Sequence, residues 1–383
     1  MHIVCIGAAP TGLGAAFRLN ELVGEGEART NDVKLTILEQ APFAGGLSRT
    51  EVDEKGFLWD MGGHITFNHN FPYYEKATKW AVDDWNHLIR NCQVDMNYVF
   101  DKEGIKLVPY PAQFAVPCFP DKVKQACLKD LNERFENVWT VDPSKMSPHW
   151  VGTRVAKLPK EKLEELCALT PEELEVMDVK YKEKKVVFEE GGEKKEISYD
   201  ILLNTAPIDL LVFVVGVGLK KPYTSFLEDM TWLYFPDKNV PFFRITVLSR
   251  YGETTPDNEK YWSLLCECAR TIDDEDSEEE VTRQAVEGLI YKTMITREQI
   301  VSVYSTTLDY GYPIPTVERD VELSRAHREL ERHSIYSRGR FGGWKYEVSN
   351  QDHCFMQGKE FIDRMVLNEP EKVYKTGLAM KQG

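Results

Sequence analysis

The sequence has no C-x-x-C pair and no histidine cluster at metal-ligand spacing. Both absences argue against a zinc module or a dithiol redox site, and no metal is expected. The eight cysteines lie scattered along the chain, which fits a reducing compartment better than a disulfide framework. Long apolar runs are missing too. The most apolar stretch, ILLNTAPIDLLVFVVGVGL from Ile201, is interrupted by Asn204, Pro207 and Asp209. It predicts buried strands, not a membrane span. The first apolar run is only a strand long before a glycine turn, unlike a signal peptide, so the expected location is cytoplasmic. Positive charge is short: 47 Lys and Arg face 62 Asp and Glu, for a net charge of −15. That balance argues against a nucleic-acid surface. It does not exclude a small anionic ligand, because local arginines and helix N-termini outweigh distant charge. Repeats and low-complexity tracts are also absent. At 383 residues and 42% apolar content, the chain is long enough for two or three domains around sizeable cores.

What is present begins at the amino terminus. HIVCIGAAPTGLGAAFRLNEL reads as a strand over Ile3–Ile6, a tight turn from Gly7 to Gly12, and a helix over Thr11–Leu22. VKLTILE is a second strand ending on Glu39. Strand, glycine turn, helix and a strand ending in an acid form the first unit of a dinucleotide-binding fold. Ala9 replaces the middle glycine of the usual motif, the smallest possible intrusion. Glu39 would accept hydrogen bonds from ribose hydroxyls and repel a 2′-phosphate, so FAD or NAD is expected. Two later glycine pairs, Gly45-Gly46 and Gly62-Gly63, favour FAD, whose length calls for further backbone amides.

From Tyr73, the residues Ala77, Trp80, Ala81, Trp85, Leu88 and Ile89 keep helical spacing, and Lys122 to Leu169 reads as charged helix. VKYKEKKVVFEEGGEKKEISYDILLN predicts a hairpin turning at Gly191-Gly192 and leading into a buried strand. TWLYFP, PFFRITVLSRY and YWSLLCECA read as aromatic strands of a second sheet, in which Cys266 and Cys268 share a packing face. A last helix carries Phe355, Met356, Phe361, Ile362, Met365 and Val366 on one side. Before it, IYSRGRFGGWKYEVSNQDH gathers arginines and aromatics among glycines, which suits a loop lining a pocket for something planar and anionic. Other candidates leave two readings open. His64 is a ligand-facing side chain or a turn histidine. Tyr110 and Gln113 in VPYPAQ hold a base or belong to a proline-rich connector. Arg244, among bulky aromatics, needs an anionic partner, either a phosphate or a protein carboxylate.

Taken in order, GAAPTGLGAAFRLNEL, GGLSRT, GFLWDMGGHITFNH, VPYPAQ, VWTV, TWLYFP, PFFRITVLSRY, GYPIPTVERD and YSRGRFGGWKYEVSNQDHCFMQG resemble the eukaryotic type of UDP-galactopyranose mutase. The resemblance implies an α/β fold: a Rossmann-like FAD-binding domain (1–70, 178–212 and 335–383), an inserted mainly helical domain (71–177), and an antiparallel substrate-binding sheet with helices (213–334). It implies interconversion of UDP-galactopyranose and UDP-galactofuranose, with N5 of FAD reduced by NADPH as nucleophile at the anomeric carbon. It assigns His64, Arg154, Arg244 and Arg340 to catalysis. Tyr110, Gln113, Trp139, Trp232, Tyr234, Tyr251, Tyr312, Tyr346 and Asn350 would contact substrate. Gly7, Gly12, Glu39, Gly45, Gly46, Leu47, Ser48, Gly62, Gly63, His64, Arg340 and Gln351 would contact the flavin. A homo-oligomer is also implied. Against the family pattern the chain is shorter at three internal joins: near Leu131–Val138, near Thr170–Asp178 and after Asp209. An incomplete or inactive relative is therefore one alternative. Another FAD-dependent, amine-oxidase-like oxidoreductase is the other.

Overall fold

Ile3, Val4 and Cys5 are completely buried, as a continuous apolar run in the middle of a parallel sheet should be. They belong to β1 (His2–Ile6), which is followed by α1 (Pro10–Gly24) and β2 (Lys34–Leu38). The computed structural model describes residues 1–63, 65–66, 69–100, 104–110, 119–120, 122–123, 179–180, 183–190, 193–204, 212–236, 238–270, 274, 276–316 and 319–374. Along that chain come the hairpin β3 (Thr50–Val52) and β4 (Leu58–Asp60), α2 (Pro72–Ala81), β5 (Cys92–Asp95) and β6 (Leu107–Pro109). Then follow β7 (Val179–Lys180), β8 (Lys185–Glu190), β9 (Glu193–Ser198), β10 (Ile201–Asn204) and β11 (Val212–Lys220). The remaining strands are β12 (Trp232–Tyr234), β13 (Arg244–Thr246), β14 (Tyr261–Ala269), β15 (Ile300–Leu308) and β16 (Ile335–Ser337).

The first sheet is all parallel, in the order β16-β10-β1-β2. One face buries Ile3, Cys5 and Leu203 under α1 and the C-terminal helix Gln351–Ile362. The other buries Val4, Leu202 and Ile335 under Val186 and Tyr199 of the β7-β8-β9 meander. The two helices on the first face touch through glycine. A Cβ on Gly14 would lie 2.1 Å from Phe355 O, and one on Gly358 would lie 1.9 Å from Thr11 O. Only glycine lets the backbones come that close.

The second sheet has seven strands in the order β15-β11-β14-β13-β12-β5-β6. Its two faces serve different ends. Phe213, Val215, Val217, Leu233, Ile245, Cys266 and Cys268 pack against the helix Glu278–Tyr291, and burial pushes the Cys268 thiol up to about 12. The opposite face receives the β3–β4 hairpin. Trp59 lies flat on Gly216, where a Cβ would be 2.4 Å from its ring, and stacks between Phe57 and Tyr304. Asp53 fastens that hairpin by accepting from Trp59 Nε1 at 2.9 Å and from Ser302 Oγ at 2.7 Å. Burial of each such ring stabilises the fold by roughly 1.5–3 kcal/mol. The result delivers the Gly62-Gly63 loop onto this second face.

The strands expected around Ile201 to Leu219, the hairpin before them, the aromatic strands of the second sheet and the C-terminal helix all form. Three expectations need correction. The helix begun at Tyr73 ends at Ala81, short of Trp85, Leu88 and Ile89. Val82 leaves the helix with extended geometry, and Asp83 and Asp84 place negative charge where the helix dipole is already negative. Second, the stretch 71–177, expected to be mainly helical, also holds β5 and β6, which extend the seven-stranded sheet. Third, IYSRGRFGGWKYEVSNQDH is not simply a loop. It opens with strand β16, and Gly339–Gly342 forms a single helical turn. The charged segment Lys122 to Leu169 and the three abrupt joins lie mostly or wholly outside the described residues. None of the described helices is long and apolar enough to cross a membrane.

Candidate functional site

The glycine turns meet each other. Gly7 has φ +98°, and its amide donates to Leu38 O at 2.7 Å, joining β1 to the end of β2. Gly12 allows the helix to start against that turn, since a Cβ there would lie 2.4 Å from Gly7 O. Gly45 (φ +119°) donates to Ala8 O at 2.9 Å. Gly46 (φ +57°) faces Ala9, whose methyl lies 2.8 Å from where a Gly46 Cβ would be. The methyl that departs from the usual glycine motif is thus taken up by the second glycine loop. Glu39 accepts from Ala8 N at 2.7 Å and Ala41 N at 3.0 Å, so its carboxylate sits at the first turn. Its charge and burial together push the Cys5 thiol up to about 12, burial being the larger cause. Leu47 packs against the apolar cluster that includes Phe57 and Trp59, and the Ser48 amide donates to Gly45 O.

These residues fit an FAD pyrophosphate and ribose. Left-handed glycines form a cradle that side chains would fill, the start of α1 presents free amides, and an acid stands at the next strand's end.

The second face of the large sheet carries the other candidates. Register places Tyr234 opposite Arg244, and Arg244 opposite Glu267. Trp232 stands opposite Thr246 in the neighbouring row. Tyr110 stacks on Tyr234 at 4.6 Å between centroids, and Trp232 lies 6.4 Å from Tyr251. Burial pushes the Tyr251 hydroxyl up to about 12 and Tyr110 and Tyr234 upward as well. Gly63 touches this face: a Cβ there would be 2.6 Å from Thr246 Oγ1 and 3.3 Å from Arg244 Nη2.

Arg244 has a carboxylate for its partner. Its Nε and Nη2 both donate to Glu267, Nη2 at 2.7 Å, and Nη2 also reaches Tyr312 OH at 3.1 Å. Tyr312 OH donates to Glu267 at 3.1 Å. Burial opposes the arginine's charge, but Glu267, Tyr312 and Tyr234 outweigh it and hold the guanidinium above its ordinary range. Nη1 keeps no hydrogen-bond partner among the described residues. Arg340 lies over the other side of Tyr312, 4.6 Å from the ring centroid. It donates to Gly311 O at 2.8 and 3.1 Å and to Ser349 O at 3.3 Å. Those partners are neutral, so Arg340 keeps its full charge. Tyr346 stands 6.1 Å from Tyr312. Asn350 caps the C-terminal helix through its backbone carbonyl, which accepts from Cys354 N. Gln351 follows, and its Oε1 accepts from Thr66 Oγ1 at 3.0 Å.

The expected residues therefore fall into two groups, the glycine turns with Glu39 and the tyrosine-arginine face, which Gly63 touches. His64, Gln113, Trp139 and Arg154 lie outside the described residues. Arg338 separates from its neighbour Arg340: it is fully buried and pairs with Glu371 at 2.6 and 2.9 Å. Sequence reasoning missed Glu267, although a lone acid between two buried cysteines of an aromatic strand is a visible signal. It also missed Arg90, whose guanidinium lies 5.5 Å over the Trp232 ring, and nothing in its surroundings marks it.

Residues 10–178 match the family of flavin containing amine oxidoreductases. A crystal structure of reduced UDP-galactopyranose mutase aligns over 98% of this chain and 96% of its own, with TM-score 0.81 and 29% identity. A fatty acid isomerase from P. acnes, described as CLA-producing, aligns over 94% and 98% with TM-score 0.55 and 13% identity. A redesigned putrescine oxidase aligns over 96% and 99%, with TM-score 0.55 and 9% identity. The last two share the fold alone. The chain is UDP-galactopyranose mutase-like and has the mixed α/β fold of FAD-dependent amine oxidases.

Proposed function

We propose that this mutase-like chain interconverts UDP-galactopyranose and UDP-galactofuranose, using FAD reduced by NADPH. One observation carries the reading: Arg244 and Arg340 converge on Tyr312, on a tyrosine-rich sheet face that touches the Gly62-Gly63 loop. When bound, the reduced flavin would supply the nucleophile for the anomeric carbon. The chain's own residues then have to hold a departing nucleoside diphosphate. Arg340, with neutral partners only, offers a full positive charge to the growing charge on the β-phosphate. Arg244 is fixed in direction by Glu267 and offers Nη1. Arg154 would add a third cation. Tyr110 and Gln113 would hold the uracil; Trp139 and Trp232 would wall the pocket. Tyr234, Tyr251, Tyr346 and Asn350 would position phosphates and sugar. His64 would face the flavin beside Gly62, Gly63 and Gln351. The first turn, with Gly7, Gly12, Glu39, Gly45 and Gly46, would hold the dinucleotide end.

The whole-length alignment with a reduced mutase supports a working scaffold over a trimmed, inactive relative. The domain division follows from the same reading, with residues 92–109 joining the substrate sheet; cytoplasmic location and homo-oligomerisation belong to it too. A second reading, oxidation of an amine, is favoured by the family match over residues 10–178. Two arginines and several tyrosines on one sheet face suit a diphosphate better.

The test uses purified protein without air. NADPH should bleach its yellow colour, and UDP-galactofuranose should then convert to the six-membered isomer by chromatography. Arg340→Lys should lower turnover by about 10²–10³ with flavin content unchanged. A fully reduced flavin without conversion overturns the mutase reading.

A further inference from the structure

At the start of the C-terminal helix, Asp352 and His353 of its first turn meet His69, three side chains of metal-ligating type that the mutase reading does not use. His69 Nδ1 lies 2.8 Å from Asp352 Oδ2, and His353 Nδ1 lies 3.3 Å from Asp352 Oδ1. One donor atom from each residue falls within 4.8 Å of the other two. The imidazole centroids are 4.5 Å apart. Asp352 is completely buried, yet its carboxylate is held rigidly, accepting from the amides of His69 at 2.8 Å and His353 at 2.9 Å. The Nδ1 of His353 is buried and makes no hydrogen bond. His69 is 42% exposed, so the group opens to solvent on one side. Residues 69 and 352 are far apart in sequence, which is why ligand spacing does not reveal them.

We propose that His69, Asp352 and His353 form a binding site for a divalent transition-metal ion of the zinc class. Two imidazoles and one carboxylate are the donors zinc prefers, at about 2.0–2.2 Å each. Around a tetrahedral ion, neighbouring donors sit roughly 3.3 Å apart, given those bond lengths. The carboxylate already stands near that distance from both rings, so small ring movements complete the set. Water takes the fourth position on the exposed side. Calcium and magnesium, which demand oxygen ligands, are excluded by the donor set. The two backbone amides on Asp352 act as the outer support that fixes a ligand's direction. Bound metal would clamp the segment after Gly63 to the C-terminal helix, next to the Thr66–Gln351 hydrogen bond.

The full-length protein, stripped with EDTA, is titrated with Co²⁺ by visible absorption and with Zn²⁺ by calorimetry, with Mg²⁺ as control. One Co²⁺ per chain with ligand-field bands, displaced by Zn²⁺ and not by Mg²⁺, is the expected result. His69→Ala and Asp352→Asn should each weaken Zn²⁺ binding by about tenfold or more. The exposed His69 keeps the test meaningful if Asp352→Asn proves unstable. No stoichiometric Zn²⁺ binding, or equal binding in the His69→Ala and His353→Ala double variant, overturns the proposal.

Discussion

Replacing Glu267 by Gln should separate the stability of the second sheet from its affinity for anions. Glu267 is 3% exposed and Arg244 17% exposed at the side chain. The pair is bidentate, and Tyr312 closes it into a triangle. Breaking a buried pair by removing one charge costs about 3–5 kcal/mol. The partial exposure of Arg244 and the hydrogen bond that Gln retains bring this to about 2–3 kcal/mol. For a domain of this size that is a fall in Tm of roughly 4–12 °C, at about 2–4 °C per kcal/mol. Binding of UDP should move the other way. Glu267 now cancels Arg244, so removing it frees a cation beside Arg340. At an effective dielectric near 20 the gain is on the order of 1 kcal/mol, severalfold in Kd. Differential scanning fluorimetry gives the first number and isothermal titration with UDP the second. An unchanged Tm would refute the buried pair. A Tm that falls while UDP affinity also falls would show that Glu267 serves only to keep Arg244 in place and that the freed cation gains nothing.

Three further outcomes follow from the packing. Gly358→Ala should lower stability by about 2–3 kcal/mol or prevent folding, because the new methyl meets the Thr11 carbonyl of α1; thermal unfolding reports it. Gly46→Ala should reduce retained flavin, since it adds a strained φ and a methyl against Ala9. The double variant with Ala9→Gly should recover part of that retention, measured as flavin absorbance per chain, because only the contact is relieved. His327 is buried, and Nε2 lies 2.7 Å from Tyr374 OH. Burial first, then Arg338 and Lys345, depresses its pKa from 6.5 to about 3. The unfolded chain therefore takes up the proton first. This contribution to stability is complete above pH 6.5 and is lost as pH falls toward 3, on the order of 3 kcal/mol by pH 4. Melting curves of His327→Gln should fall less steeply with pH across that window.

The first βαβ unit was legible because its signals are local: an apolar run, glycines at fixed offsets and a terminal acid. The aromatic strands were legible for the same reason, each being apolar enough to declare itself. Partnership between strands was not. Arg244 and Glu267 lie in separate strands, and only the register of β13 against β14 sets them face to face. The same holds for Arg338 and Arg340, two positions apart in one short segment. One turned inward to Glu371, the other outward to Tyr312, and no sequence period separates them. The helix from Tyr73 was overextended because its apolar spacing persists beyond the two aspartates that stop it. The cluster of His69, Asp352 and His353 is joined only by the folding of the chain back on itself.

The glycine contact between α1 and the C-terminal helix has a consequence for how the protein is made. β1 and α1 leave the ribosome long before the helix Gln351–Ile362 that covers them. Until residue 358 has emerged, the face of α1 bearing Gly14 stays bare, and β1 also waits for β10. The nucleotide cradle thus takes its final shape only once that helix has been made, and a nascent chain stalled before it should be held by chaperones, not by cofactor.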